Sequence, residues 1–255
     1  MKKSLIIALS TVATLTLCNT AALAKKPATL FQVSTTGALS QGVFDGDYPY
    51  QKLRKQGNFG VGTFKGVDGE MIALDGRFYQ TDSSGKKPGK LKRVEANQIA
   101  PFAEVIQFKP YRESNIEYAT SLNALEEMIV ERLPNRNIPY AIEIDGRFQA
   151  LTLRNLRKQG EPYRPLRVAA RNQSVLRLHN KSGHLVGFWF PKYWAGIAPT
   201  GLYLNFVNST HTIGGHVTNV SVRTAKLETE PVNNVKIYLP HTLTFANAHL
   251  ARARR

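Results

Sequence analysis

Residues 201–217 read GLYLNFVNSTHTIGGHV. An alternating apolar stretch runs into a polar turn, and a Gly-Gly pair then delivers one imidazole, His216. A histidine presented from a strand can ligate a metal or move a proton near neutral pH. Alternation puts Leu202, Leu204 and Phe206 on one face of the first strand, and Tyr203, Asn205 and Val207 on the other. If 201–207 pairs with 216–222, His216 comes beside Asn205 or Tyr203 and shares a face with Thr218, Val220 and Val222. A lone histidine in such a pattern is more often a hydrogen-bonded structural residue than a ligand.

Other chemistry is sparse. The six histidines make no HxH, HxxxH or HExxH pattern, and His211 and His216 stand five apart across a turn. A catalytic zinc site needs three protein ligands and an open position, which spacing alone does not supply here. There is no GxSxG elbow and no phosphate-binding glycine loop. Cys18 is the only cysteine and falls in the leader described below, so neither disulfides nor thiolate chemistry is expected after it.

The elements that must position these residues are mostly strands. Asn58 to Gly69 is glycine-punctuated, with Asp68-Gly69 a tight turn, and Met71 to Tyr79 reads as a hairpin with Asp75-Gly76 at its tip. Ile144-Asp-Gly-Arg-Phe repeats the chemistry of Leu74-Asp-Gly-Arg-Phe, which suggests a second hairpin and two related halves. Ser83 to Lys92 is a polar, basic loop, and Val105 to Tyr111 is strand-like. Helical spacing of Leu122, Leu125, Met128, Ile129 and Leu133 predicts one core helix, with Asn123 and Glu126 as a capping box and Pro134 as its stop. Strands follow near 184–190, 201–207, 216–223 and 234–239. The class is α+β and β-rich, with mixed sheets and few helices.

The chain opens with Lys2-Lys3, an apolar run from Leu5 to Leu17, and Ala22-Leu23-Ala24, the anatomy of a secretory signal peptide cleaved after Ala24. The expectation is an exported protein, periplasmic or secreted; lipidation at Cys18 is disfavoured by the bulky Leu17 before it. Of 34 Lys and Arg, removing Lys2 and Lys3 leaves 32 against 18 Asp and Glu, a net +14. Export and the lack of an aromatic-interleaved basic motif argue against a specific nucleic-acid partner. The cationic surface suits an anionic envelope surface, lipid or polysaccharide, and draws in small anions.

Taken in order, several segments are similar to bacterial acetolactate decarboxylases. They are Gly57-Asn-Phe-Gly-Val-Gly-Thr-Phe, Val67-Asp-Gly-Glu-Met-Ile, Leu74-Asp-Gly-Arg-Phe-Tyr-Gln, Leu133-Pro-Asn-Arg-Asn and Tyr140-Ala-Ile-Glu-Ile-Asp-Gly. Glu161-Pro-Tyr-Arg-Pro-Leu, Val186-Gly-Phe-Trp-Phe-Pro and Gly214-Gly-His-Val continue the series, so the resemblance runs from about Phe31 to about Leu250. It implies that residues 25–255 form a single domain in two lobes (about 30–135 and 136–250), of a kind that is often a homodimer, and conversion of 2-acetolactate to acetoin and carbon dioxide on zinc. The metal would chelate the substrate's hydroxyl and carbonyl oxygens and act as an electron sink.

Carried over by residue, the resemblance makes His216 a zinc ligand, while the family's HxH pair falls on Tyr203 and Asn205. The pocket carboxylate falls on Glu70, the substrate-binding arginine on Arg154, and a further pocket position on Thr63. A glutamate of the family's C-terminal tail has no counterpart in HLARARR. Neutral Tyr and Asn are poor substitutes for imidazole on zinc. Taken singly, Glu70 is a strand residue beside a turn and Arg154 one arginine among many; jointly they point to an anion-binding pocket, since a guanidinium holds carboxylates bidentately. Three readings stay open: a decarboxylase with an altered metal site, an exported non-catalytic relative that binds a small hydroxy or keto acid or an envelope component, and a surface-interaction protein using its cationic face.

Overall fold

Asp75 and Gly76 both take positive φ, 50° and 73°. That is the handedness a two-residue hairpin turn needs, and it folds Glu70–Leu74 back on Arg77–Thr81 with Leu74 opposite Arg77. The remainder of the computed structural model, which describes residues 27–250, extends this motif. The strands are β1 (Ala28–Val33), β2 (Tyr48–Pro49), β3 (Phe59–Thr63), β4 (Glu70–Leu74), β5 (Arg77–Thr81), β6 (Leu91–Arg93), β7 (Ile99–Ala100) and β8 (Phe102–Ile106). They continue as β9 (Arg112–Ala119), β10 (Tyr140–Leu156), β11 (Gln173–Phe190), β12 (Gly201–Asn208) and β13 (Gly214–Tyr238). Helices are short except one: α1 (Thr36–Ser40), α2 (Tyr50–Leu53), α3 (Leu122–Arg132), α4 (Leu166–Ala169) and α5 (Leu243–Ala246). Among the described residues no helix is long and apolar enough to cross a membrane. The expected leader, with Cys18, lies outside the described residues.

The principal sheet runs β10-β11-β12-β13-β1-β8-β3-β4-β5-β6, with β9 pairing β13 from the side. β10 also pairs β13, so β10, β11, β12 and β13 close a ring of antiparallel pairings. β1 joins this ring to the N-terminal strands, parallel to β13 on one side and antiparallel to β8 on the other. One apolar cluster fills the ring side, with Ile142, Phe148, Leu185, Leu204 and Phe206. A second, with Leu30, Phe59, Ile72, Phe188 and Val207, packs the two sets of strands against each other.

The alternation expected for β12 holds: Leu204 and Phe206 join the first cluster, while Tyr203 and Val207 meet the second. Several other expectations need correction. Asp145-Gly146 is not a hairpin tip; it lies inside the 17-residue β10, paired with both β11 and β13. An ideal Cβ on Gly146 would sit 2.6 Å from the Ala225 Cβ, so glycine serves close strand approach there rather than a turn. The strands expected at 216–223 and 234–239 are one continuous β13.

A register shift between Thr152 and Leu153 breaks the alternation after His216, so Val217 rather than Thr218 joins Val220 and Val222 in the core. Helix α3 is present with Leu125 and Ile129 buried, but its cap is Ser121, whose hydroxyl accepts from the Ala124 amide at 3.1 Å. Ser121 has the extended backbone a cap requires, whereas Asn123 is already helical. The stretch expected as a strand over 105–111 is β8 and ends at Ile106.

Candidate functional site

Three pairings gather the polar residues. Thr63 faces Glu70 across β3–β4, Asn205 faces His216 across β12–β13, and Arg154 faces His216 across β10–β13. Glu70, Thr63 and Asn205 are buried. The Asn205 Nδ2 donates to the Met71 carbonyl at 3.2 Å, which ties the two sets of strands together beside Glu70.

Tyr203 donates its hydroxyl hydrogen bond to the Glu70 carboxylate. Its ring lies over His216, with centroids 4.4 Å apart and a 32° tilt. His216 Nδ1 is 3.3 Å from the Asn205 Oδ1. An amide oxygen only accepts, so Nδ1 carries the hydrogen and Nε2 keeps the lone pair.

The charges are set by burial first. Desolvation raises the Glu70 carboxyl from 4.5 to about 7, and the Arg154 guanidinium and the Tyr203 hydroxyl pull it back. Desolvation, reinforced by the positive charge of Arg154, lowers His216 from 6.5 to about 3, so the imidazole is neutral. Tyr203 is pushed well above its ordinary 10.0, by burial and then by the negative charge of Glu70. Arg154 interacts with Glu70, Tyr203 and His216, and its Nε is buried without a partner among the described residues.

Arg154 also lines a cleft of about 1510 Å³ formed by α1, the α4 segment, residues 195–200 and the C-terminal segment around Phe245 and His249. Among its described lining residues Arg167 and His249 join Arg154, and no Asp or Glu appears. The cleft is therefore electropositive, and Arg154 stands where it meets the buried cluster.

All the residues expected at the site converge except in one respect. Thr63 is buried beside Glu70, but its hydroxyl donates to the Gly69 carbonyl at 2.7 Å and so holds the β3–β4 turn. His211, the other histidine near the turn, has its Nδ1 2.6 Å from the Tyr79 hydroxyl.

Sequence reasoning missed Glu104 and Asn155. Glu104 is fully buried on β8, its two oxygens have no partner among the described residues, and burial pushes its carboxyl well above 4.5. Its negative charge would act on Tyr203, which places it behind the cluster. Asn155 is fully buried next to Gly215, where a Cβ would meet its amide at 3.0 Å. A lone Glu inside Phe102-Ala-Glu-Val-Ile was the available signal for the first; Asn155 gave none.

Zinc does not fit this donor set. Among the described residues no group of three His, Cys, Asp or Glu can hold a metal ion. His216 is the single imidazole in the cluster, and the two positions beside it offer a hydrogen-bonded phenol and an amide.

The alpha-acetolactate decarboxylase family model matches residues 30–252. An alpha-acetolactate decarboxylase of Brevibacillus brevis is 36% identical over 223 residues, 88% of this chain and 77% of that protein. One from Methylococcus capsulatus is also 36% identical over 223 residues, covering 88% and 84%. Among solved structures, alpha-acetolactate decarboxylase from Bacillus subtilis strain 168 superposes with a TM-score of 0.84 at 35% identity, over 88% of this chain and 94% of that one.

Proposed function

We propose, for a chain that belongs to the alpha-acetolactate decarboxylase family, that the Arg154 cleft binds 2-acetolactate or a closely related small 2-hydroxy-3-keto acid and releases its carboxylate as carbon dioxide. The observation that carries this reading is Arg154, a guanidinium whose buried Nε has no partner among the described residues, at the junction of an electropositive cleft and a buried Glu70–Tyr203 pair. A keto acid of this type loses carbon dioxide when the breaking C–C electron pair moves onto the neighbouring ketone oxygen, giving an enediolate. One proton must then reach carbon to form acetoin. Arg154 supports the anionic end and the developing oxyanion, and Glu70 is close enough to neutral pH to hold a proton.

The donor set at Tyr203, Asn205 and His216 favours a second reading, a relative that binds the same acid without turning it over. Acetoin formation from 2-acetolactate by the purified chain separates the two. Turnover reduced by about 100-fold or more in Arg154→Ala, against a smaller loss in Arg154→Lys, supports the first reading. Binding of the acid without acetoin supports the second, and no binding at all removes both.

A further inference from the structure

We infer that this cleft takes its ligand without a divalent metal ion, because the side chains at Tyr203 and Asn205 are committed to protein partners. For the class of ligand, this inference rests on the proposed function; for the metal, it stands on the residues alone. Asn205 uses both ends of its amide, Oδ1 toward His216 and Nδ2 toward the Met71 carbonyl, at zero exposure. Turning Oδ1 to a metal would strand a buried imidazole N–H, a cost that opposes ligation.

Tyr203 gives its hydroxyl to Glu70, and as a ligand it would have to become a phenolate beside that carboxylate, which burial and the Glu70 charge both resist. Glu70 accepts from Tyr203 and faces Arg154. Among the three positions 203, 205 and 216, His216 Nε2 is the one nitrogen with a free lone pair, and the positive charge of Arg154 acts directly on that ring. His211 is held at Tyr79. The contact that would hold a ligand's carboxylate oxygens is thus the Arg154 guanidinium, whose Nε has no partner among the described residues.

Zinc titration by calorimetry, with metal analysis of chain stripped by a chelator, tests this. The expected result is no stoichiometric zinc at micromolar concentration in the wild type. The Tyr203→His/Asn205→His variant should gain one zinc, about 100-fold tighter than the wild type. One zinc per wild-type chain, lost in His216→Gln, would overturn the inference. So would a folded double variant, with a melting temperature like the wild type's, that still binds no zinc. Should the double variant not fold, Tyr203→His alone must bind zinc more tightly than the wild type, and equal binding counts against the idea.

The carboxylate 2-hydroxy-2-methylbutanoate supplies a separate readout. Its affinity should change less than about 2-fold between chelator-treated and zinc-supplemented protein. Binding that requires zinc contradicts the inference. Absence of binding in both conditions removes the proposed ligand class, and the zinc titration still decides the metal.

Discussion

The pair Glu70 and His216 carries opposite pH signatures. Glu70 has a folded value of about 7, above its ordinary 4.5, so between these values the folded chain holds more protons than the unfolded one. Its contribution is complete below pH 4.5 and is lost as pH rises toward 7. His216 runs the other way: its folded value of about 3 lies below 6.5, so stability drains away as pH falls through that window. Glu70→Gln should therefore gain melting temperature relative to the wild type on going from pH 4.5 to pH 8. Parallel curves for the two proteins in thermal unfolding would contradict the buried-carboxyl assignment. Tyr203→Phe removes the hydroxyl that stabilises ionised Glu70, and titration of Glu70 by NMR should then move further upward from about 7.

At the scale of elements, the site depends on how closely β11 approaches β12. Gly187 stands opposite Leu204 in the register, and a Cβ there would lie 1.9 Å from the Tyr203 carbonyl. Backbone cannot yield as a flexible side-chain tip can. Gly187→Ala should therefore destabilise by about 2 kcal/mol or more and displace Tyr203; a melting temperature within 1 °C of the wild type, a shift of about 0.5 kcal/mol or less, would show that the strands can part.

The cleft's C-terminal wall is fastened differently. Asp45 accepts from the Thr244 hydroxyl at 2.6 Å and the Thr242 hydroxyl at 3.4 Å, and Asp47 accepts from the His241 amide at 2.8 Å. Asp45→Ala should free this segment, read as faster proteolysis after Tyr238 while most of the global stability is kept, since surface-proximal hydrogen bonds contribute about 1 kcal/mol each. Of these features, the Asp75-Gly76 hairpin was legible because its turn chemistry is local. The Asp145-Gly146 pair was misread because the same dipeptide sits between two partner strands that sequence does not display. The cap of α3 was misplaced by two residues for a similar reason, since Ser121 and Asn123 are both competent caps until the backbone selects one.

Across the whole molecule, β1 is the joint. It carries the only parallel pairing among the described strands and links the β10–β13 ring to the N-terminal hairpins. Leu30, fully buried in the cluster between them, should cost about 2–5 kcal/mol as Leu30→Ala, measured by denaturant unfolding. A loss below about 1 kcal/mol would mean that the joint is not held by this packing.

The sequence by itself determined the family and the β-rich class, because turn glycines, strand alternation and ordered motifs are local signals. It also determined the replacement of two ligand positions by Tyr203 and Asn205, since residue identity needs no fold to be read. Only the tertiary structure decided what those replacements do. The Tyr203–Glu70 bond, the bond from Asn205 to the Met71 carbonyl, and the Arg154 charge acting on His216 join residues from strands far apart in the chain. Hydrogen bonding and desolvation depend on distance in space, and the β10–β13 ring and its joint through β1 create those distances.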